Sequence, residues 1–298
     1  MRPGRVADLP AVLELFRAEV QAGGRDCVPM DVNSQALLAA FDWPSRSRLV
    51  ENGASGLEGA VLVSSRPTPL GTVARIDPAA VGDNSRQVMD DLVRWSLQLS
   101  RAAGATAVQV WVGPGHSEVL GELGLEMVRP WWRMDRSLDG DLPEPQPVPG
   151  YELLDGNAVT PGSWEDMHNR AFADHWRFSP RSEEELMSAK PAHLRLMAVT
   201  AWDRKPAAVT LSQVVTYEQD ARPQPVGLVS SVGTVPEHRR RGLANWLVAE
   251  ALLRLRQAGA RHSSLYVDGW SQTRAFDAYR KLGFSVAFEA EVWEASFS

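Results

Sequence analysis

The stretch Val232 to Val248, VGTVPEHRRRGLANWLV, holds the residues whose types and spacing speak most directly of chemistry. A valine-rich run passes through Pro236 and a loop into a helix, and Arg239, Arg240 and Arg241 precede Gly242 at the join. The first amides of a helix have no partner inside it, and the helix dipole adds partial positive charge there, so such a join is an anion site. Gly242 lets a phosphate approach the backbone closely, Ala244 keeps the next position small, and the arginines place positive charge at the rim. No Gly-Lys-Ser or Gly-Lys-Thr follows, so this is not a nucleoside-triphosphate loop. Taken alone, the arginine run also suits a solvated loop. The residues specify an anion-binding helix start with phosphate as its natural ligand.

Other chemistries find little support. Cys27 is the single cysteine, which excludes an internal disulfide and a cysteine metal cluster, and the six histidines form no His-x-x-x-His pair. No metal is expected. A net charge of -6 argues against a broad nucleic-acid face and mildly favours cationic ligands such as amines. The N-terminal MRPGRVADLP has no apolar signal core, and no window is long enough to span a bilayer, so a soluble, cytoplasmic protein with no membrane partner is expected.

The 298 residues fit two domains of about 150 each. Pro143, Pro145, Pro147 and Pro149 mark residues 139–150 as an extended connector between units 1–138 and 151–298. The two flanking segments share their punctuation. Each opens on a helix with a cap and an early proline, Asp8 with Pro10 and Thr160 with Pro161. Each then runs through a strand end, a proline, a loop and a long helix to a terminal Gly-Ala, and ELGLEMVRPWWRM parallels KLGFSVAFEAEVW. This predicts duplicated α+β units. In the second, a strand over PVGLVSSVGTV leads to a helix with Ala244, Val248, Ala251, Leu252 and Leu255 on one stripe and a Glu250–Arg254 pair. A strand over SSLYV, a helix capped by Ser271 and stopped at Gly283, and a final strand segment follow.

The spacing Arg239-x-x-Gly242-x-Ala244, followed by AYRKLGF at Ala278 to Phe284, resembles the pyrophosphate motif and later helix of the GNAT N-acetyltransferases. The tandem layout and AFADHW resemble the two-domain, mycothiol synthase-like members. The resemblance implies two tandem GNAT-like α+β domains, each a mixed, mostly antiparallel sheet flanked by helices. It implies acetyl-CoA as acyl donor, with the amides of Arg240, Arg241, Gly242, Leu243, Ala244 and Asn245 on its pyrophosphate and Arg239 beside them. The backbone of Val232, Gly233 and Thr234 would pair with the pantetheine arm. Gln272 stands where relatives carry an asparagine on that arm. A small-molecule primary amine would attack directly, with no covalent enzyme intermediate.

Such chemistry needs a neutral amine and a proton for the departing thiolate. Tyr279 stands at the position of the family's thiolate-protonating tyrosine; otherwise it is a core residue on the helix face of Ala275. The glutamate that many relatives carry before the loop is replaced by the run Leu228, Ser230, Ser231. Asp268 is a candidate base, and Asp174 and His175 are candidates on the acceptor side, where a packed or exposed loop histidine is the bland alternative. Glu183, Glu184 and Glu185 read as a solvated first turn after Ser182. The first unit reads DPAAVGDNSRQVMDD at the loop and Val119-Leu120 where the tyrosine would stand. It is expected to be a degenerate copy that buttresses the second or walls its acceptor cleft. Competing expectations are a non-catalytic acyl-CoA-binding or interaction protein, a longer acyl donor, and a protein amine as acceptor.

Overall fold

The repeated punctuation becomes a repeated order of elements. The first half gives β1 (Arg2–Pro3), α1 (Leu9–Gln21), α2 (Trp43–Arg46), β2 (Ser47–Asn52), β3 (Gly56–Thr68), β4 (Gly71–Ala80), α3 (Ser85–Ala102), β5 (Ala107–Val112), α4 (Ser117–Glu122) and β6 (Glu126–Ser137). The second gives β7 (Glu152–Asp155), α5 (Pro161–Phe172), β8 (Ala198–Trp202), β9 (Lys205–Val215), β10 (Val226–Thr234), α6 (Leu243–Gln257), β11 (His262–Asp268), α7 (Ala275–Lys281) and β12 (Ser285–Ser296). The computed structural model describes residues 1–28, 38–53, 56–68, 71–187, 197–216, 222–271 and 273–297. Residues 139–150, with their alternating prolines, carry no helix or strand.

The local signals work through identifiable bonds. Thr160 Oγ1 accepts from Ser163 N at 3.3 Å and caps α5, with Pro161 as its first residue. Ser182 and Glu185 cap each other's backbone at the helical turn 183–187. Asp8 precedes α1 as expected, but its carboxylate instead accepts from Arg5 N and Arg2. Ser271 is not the cap of α7: that helix starts at Ala275 after Arg274 in a left-handed conformation, and Ser271 Oγ is bonded to Thr273 Oγ1 at 2.8 Å. The Gly-Ala stops are equivalent, since Ala105 N and Ala260 N each reach back to a helix carbonyl at 3.0 Å. Leu125 N donates to Leu120 O and Phe284 N to Tyr279 O, which places Leu120 at the first half's counterpart of Tyr279.

Among the described residues the twelve strands form one sheet in the order β1-β2-β3-β4-β5-β12-β6-β11-β10-β9-β8-β7. The neighbours are antiparallel except for β4 with β5 and β10 with β11. The order contains an exchange. β6, from the first half, pairs with β11 over Ser137↔His262 to Trp131↔Asp268. β12, from the second, pairs with β5 over Ala107↔Ser296 to Val112↔Glu291. Each half's last strand therefore completes the other's sheet, and β6 and β12 pair with each other between them.

Both faces of the sheet are covered. In the first half Phe16, Trp43, Leu49 and Leu62 fill one face, and Ile76, Leu92, Val110 and Leu120 the other. In the second half α6 is buried on two sides, because it spans the strands on both flanks of the parallel pair. Leu243, Trp246 and Leu247 lie in one cluster with Ala198 and Ala208 of β8 and β9, while Val248, Leu252 and Leu255 lie in another with Val229, Leu265 and Tyr279. That is broader than the single stripe legible in the sequence. Each fully buried aliphatic side chain here contributes about 1.5–3 kcal/mol. Glu250 and Arg254 form the expected pair at 2.8 Å. Trp132 of β6, partly buried, packs against the second half's core, edge-on to Phe276 at 5.4 Å, which is the exchange seen at side-chain level.

Because neither half keeps its own last strand beside its parallel pair, each alone exposes bare strand edges. Residues 1–138 and 151–298 expressed separately should be insoluble or lack a cooperative unfolding transition, and co-expression should restore one. Two cooperative transitions from separately purified halves would contradict the exchange.

Candidate functional site

The arginine run divides into two kinds of residue. Arg239 is a clamp: Nε donates to Thr234 O at 3.1 Å, and the two terminal nitrogens reach Asp174 Oδ2 and Oδ1 at 2.5 and 2.9 Å and Ala171 O at 3.0 Å. It ties the loop to the end of α5. The hydrogen bond from Arg239 holds the Asp174 carboxyl below its usual range. Arg240 and Arg241 stay exposed at the rim, Arg240 with a left-handed φ of 62°. Gly242 follows at φ 90° as the cap of α6. A Cβ there would meet only Val148, at 3.8 Å, so backbone conformation and not space demands glycine. The turn points the first amides of α6 outward, where a phosphate can take them.

Beside this cradle the sheet opens. β10 and β11 pair only over Val226↔His262 to Val229↔Leu265. Beyond a bulge between Val229 and Ser231, β10 pairs with β9 alone, Val232↔Thr210, Gly233↔Val209 and Thr234↔Ala208. The backbone edge of Val232–Thr234 that would face β11 is thus left to the splay. Gly233 has a second constraint: a Cβ would stand 2.7 Å from Cε2 of Phe172, whose ring covers this strand.

The first half opens in the same place and fills the gap itself. β4 and β5 pair only over Val73↔Ala107 to Ile76↔Val110. Into the splay beyond comes Arg25, which donates to Asp77 Oδ1 at 2.8 Å, Pro78 O at 3.1 Å and Glu19 Oε2 at 2.7 Å. Glu19 Oε1 accepts from Ala80 N at 3.3 Å, and Gly113 N donates to Gly24 O at 3.1 Å. Burial raises the Glu19 carboxyl while Arg25 pulls it back. The strand edge that an extended ligand would use is occupied by the chain's own side chains.

Two sets of side chains flank the second half's splay, on opposite faces of the sheet. On the α6 side lies Tyr279, 8% exposed and packed with Val229, Val248 and Val267. Burial pushes its hydroxyl up to about 12, and among the described residues no protein group bonds that hydroxyl. Burial thus keeps the phenol in its protonated form. On the α5 side, His175 packs edge-on to Phe172 with centroids 4.8 Å apart. Although the residue is exposed, desolvation of its ring lowers the imidazole below the histidine range, against the pull of Asp174 and Asp268. Asp268 stands at the mouth of the splay, with Oδ1 accepting from Trp270 N at 2.9 Å and Oδ2 paired with Arg129. Asp268 thus lies within electrostatic reach of His175, Asp174 is held by Arg239, and Tyr279 stands across the sheet. Gln272 lies outside the described residues.

Sequence reasoning missed several participants. Arg129 arrives on β6 only because of the strand exchange. Phe172 and His168 belong to the helix face of α5 over β10, where their apolar spacing reads as core. His168 is 8% exposed, is stacked on Phe172 at 4.7 Å, and has no hydrogen-bond partner at Nδ1 among the described residues; desolvation lowers it to about 4.

Comparison with known proteins agrees with this geometry. A model described as the acetyltransferase (GNAT) family matches residues 162–284, within the second half. The mycothiol acetyltransferase of Thermobispora bispora is 29% identical over 93% of this chain and 92% of its own length; that of Nocardia farcinica is 30% identical over 95% and 92%. Among solved structures, a GCN5-related N-acetyltransferase from Sphaerobacter thermophilus superposes with a TM-score of 0.78 at 21% identity, covering 99% of this chain and 94% of that one. A tandem GNAT protein from the clavulanic acid biosynthesis pathway gives 0.70 at 17%, covering 99% and 97%.

The lowered His168 makes a stability prediction. The unfolded chain takes up this proton near 6.5 and the folded protein only near 4. Stability is therefore lost as the pH falls from about 6.5 and levels off below about 4, by roughly 2–3 kcal/mol after allowance for solvent screening. His168→Phe should flatten the melting temperature between these pH values by more than half. An unchanged acid limb would show that His168 is not its source.

Proposed function

Because the chain belongs to the GNAT family of acetyltransferases, we propose that its second half transfers the acetyl group of acetyl-CoA directly to the primary amine of a small molecule. The observation that carries this reading is the splay of β10 from β11, with the glycine-capped start of α6 at one side and Tyr279 and His175 on its two faces. The fit is specific. The Val232–Thr234 edge offers backbone pairing to an extended arm, and the amides of Arg240 through Asn245, with the exposed Arg240 and Arg241 beside them, offer donors and charge to a pyrophosphate. Acetyl-CoA bound there supplies an activated acyl group with a thiolate as its leaving group.

The chain's residues then divide the proton work. Tyr279, on the α6 face, gives its phenolic proton to the departing sulfur. Neutral His175, on the α5 face, accepts the proton that the attacking amine must lose, directly or through one water, and Asp268 steadies the imidazolium that forms. Phe172 closes the strand against solvent over Gly233. Arg239 and Asp174 hold the acceptor-side loop to the cradle. The relatives from Thermobispora bispora and Nocardia farcinica are both named mycothiol acetyltransferase, and a mycothiol-related amine is the acceptor we assign on that basis. The plugged splay of the first half leaves it a supporting role.

Thiol release from acetyl-CoA, measured with a panel of primary amines, tests this reading. Tyr279→Phe should lower kcat about 100-fold and leave acetyl-CoA affinity within about twofold. In the wild type, kcat/KM should rise with pH through a midpoint below the ordinary histidine value of 6.5, since the neutral imidazole is the active form. Full turnover in Tyr279→Phe would remove the assigned acid. Binding of acetyl-CoA without transfer to any amine would mean a binding protein, not an enzyme.

A further inference from the structure

Both polar side chains that β11 presents beside the splay on the α5 face are held by residues of the other half. Tyr266 and Asp268 lie one strand residue apart on that face, just past the last pair with β10, Val229↔Leu265. Tyr266 donates its hydroxyl to Asp26 Oδ2 at 2.5 Å, and Arg133 of β6 bonds the same aspartate through its carboxylate and its carbonyl oxygen. Asp268 is paired with Arg129, also on β6. The Arg129 guanidinium lies 4.9 Å over the ring of Trp176, so one side chain connects β11 to the loop that carries His175. The pair is only partly open to water, with side-chain exposures of 22% for Arg129 and 16% for Asp268. Arg129 Nε is buried without a hydrogen-bond partner among the described residues. A guanidinium kept there with one donor unmet is poorly explained by stability alone, since a well-packed apolar residue often serves as well.

We propose that Arg129, delivered by the exchanged strand β6, is a positioning residue for the acceptor: it fixes Asp268 and Trp176 against each other on the amine side of the splay and has no part in binding acetyl-CoA. The first half thereby builds one wall of the second half's active site. This rests on the transfer reading given above. The chemistry follows from charge. Arg129 offsets the carboxylate of Asp268, one of the groups that face His175; the others are Asp174 on its own loop, Arg239 from the cradle and His168 from α5. With Arg129 neutralised, the field of Asp268 on the imidazole is no longer offset, and His175 holds its proton to higher pH.

The test compares wild type, Arg129→Gln and Arg129→Lys as full chains, with acetyl-CoA and a primary-amine panel that includes cysteamine, D-glucosamine and L-cysteine methyl ester. In Arg129→Gln, KM for the amine should rise about tenfold, kcat should fall less, and calorimetric affinity for acetyl-CoA should stay within about twofold. The acid limb of kcat/KM should move up by about 0.5–1 pH unit. Arg129→Lys should restore part of both effects, because it keeps the charge but not the planar fork. If Arg129→Gln does not fold, Asp26→Asn, which loosens Tyr266 from the same side, should raise amine KM in the same direction. Unchanged amine KM with an unmoved acid limb overturns the inference while leaving the transfer reading intact. A parallel loss of acetyl-CoA affinity also overturns it, as a general distortion. A wild type that binds acetyl-CoA but acetylates no amine overturns both.

Discussion

A pair of parallel strands that stops pairing halfway leaves a row of backbone donors and acceptors with nothing to bond, and such groups are costly to bury unmet. Everything else in this structure can be read as an answer to that gap. It occurs twice, after Ile76 and after Val229, at equivalent places in the two halves. In the first half the chain closes it with Arg25, Glu19 and Asp77, and a leucine, Leu120, occupies the place of Tyr279. In the second half the edge beyond Val229 has no strand beside it on the β11 side, a bulge at Ser230 falls where that pairing ends, and the glycine-capped α6 stands beside it. One fold thus holds a splay that is satisfied internally and another that the proposed reading gives to the donor substrate.

The exchange of β6 and β12 explains why the plugged half persists. β6 supplies Trp132 to the second half's core and Arg129 to the mouth of its splay, while β12 supplies the strand next to β5 and Glu294 to Gln109 at 2.7 Å. Losing either half removes a core strand from the other. The acid and the base of the proposed reaction also stand on different faces of the sheet, Tyr279 under α6 and His175 beside α5. An amine can then approach from one face while the leaving sulfur takes its proton from the other.

Much of this was legible in the sequence where a short local motif sets the geometry. Gly242 with its arginines, the cap at Thr160, the strand–helix–strand–helix–strand order of the second half and the mismatched loop of the first are consequences of neighbours within a few residues. The acetyltransferase character and the donor followed from those motifs. What stayed hidden depends on partners far apart in the chain. Arg239 is expected from the motif beside the pyrophosphate, and its side chain also clamps Asp174, 65 residues away. Asp268 is a candidate base by its place after a strand, and its pairing with Arg129, 139 residues away across the exchange, leaves no local trace. Arg25 carries no local signal of any kind, because its meaning lies in the splay it fills. Ser271 failed as a cap because α7 begins after a left-handed turn at Arg274, which spacing alone does not reveal.

The most direct measurement is a calorimetric titration of acetyl-CoA into the wild type and into Gly242→Glu, which places a bulky anion and an unfavourable φ in the cradle. One site per chain, lost on the substitution, is the result expected of one open and one plugged splay. Two sites in the wild type, or undiminished binding in Gly242→Glu, would contradict it.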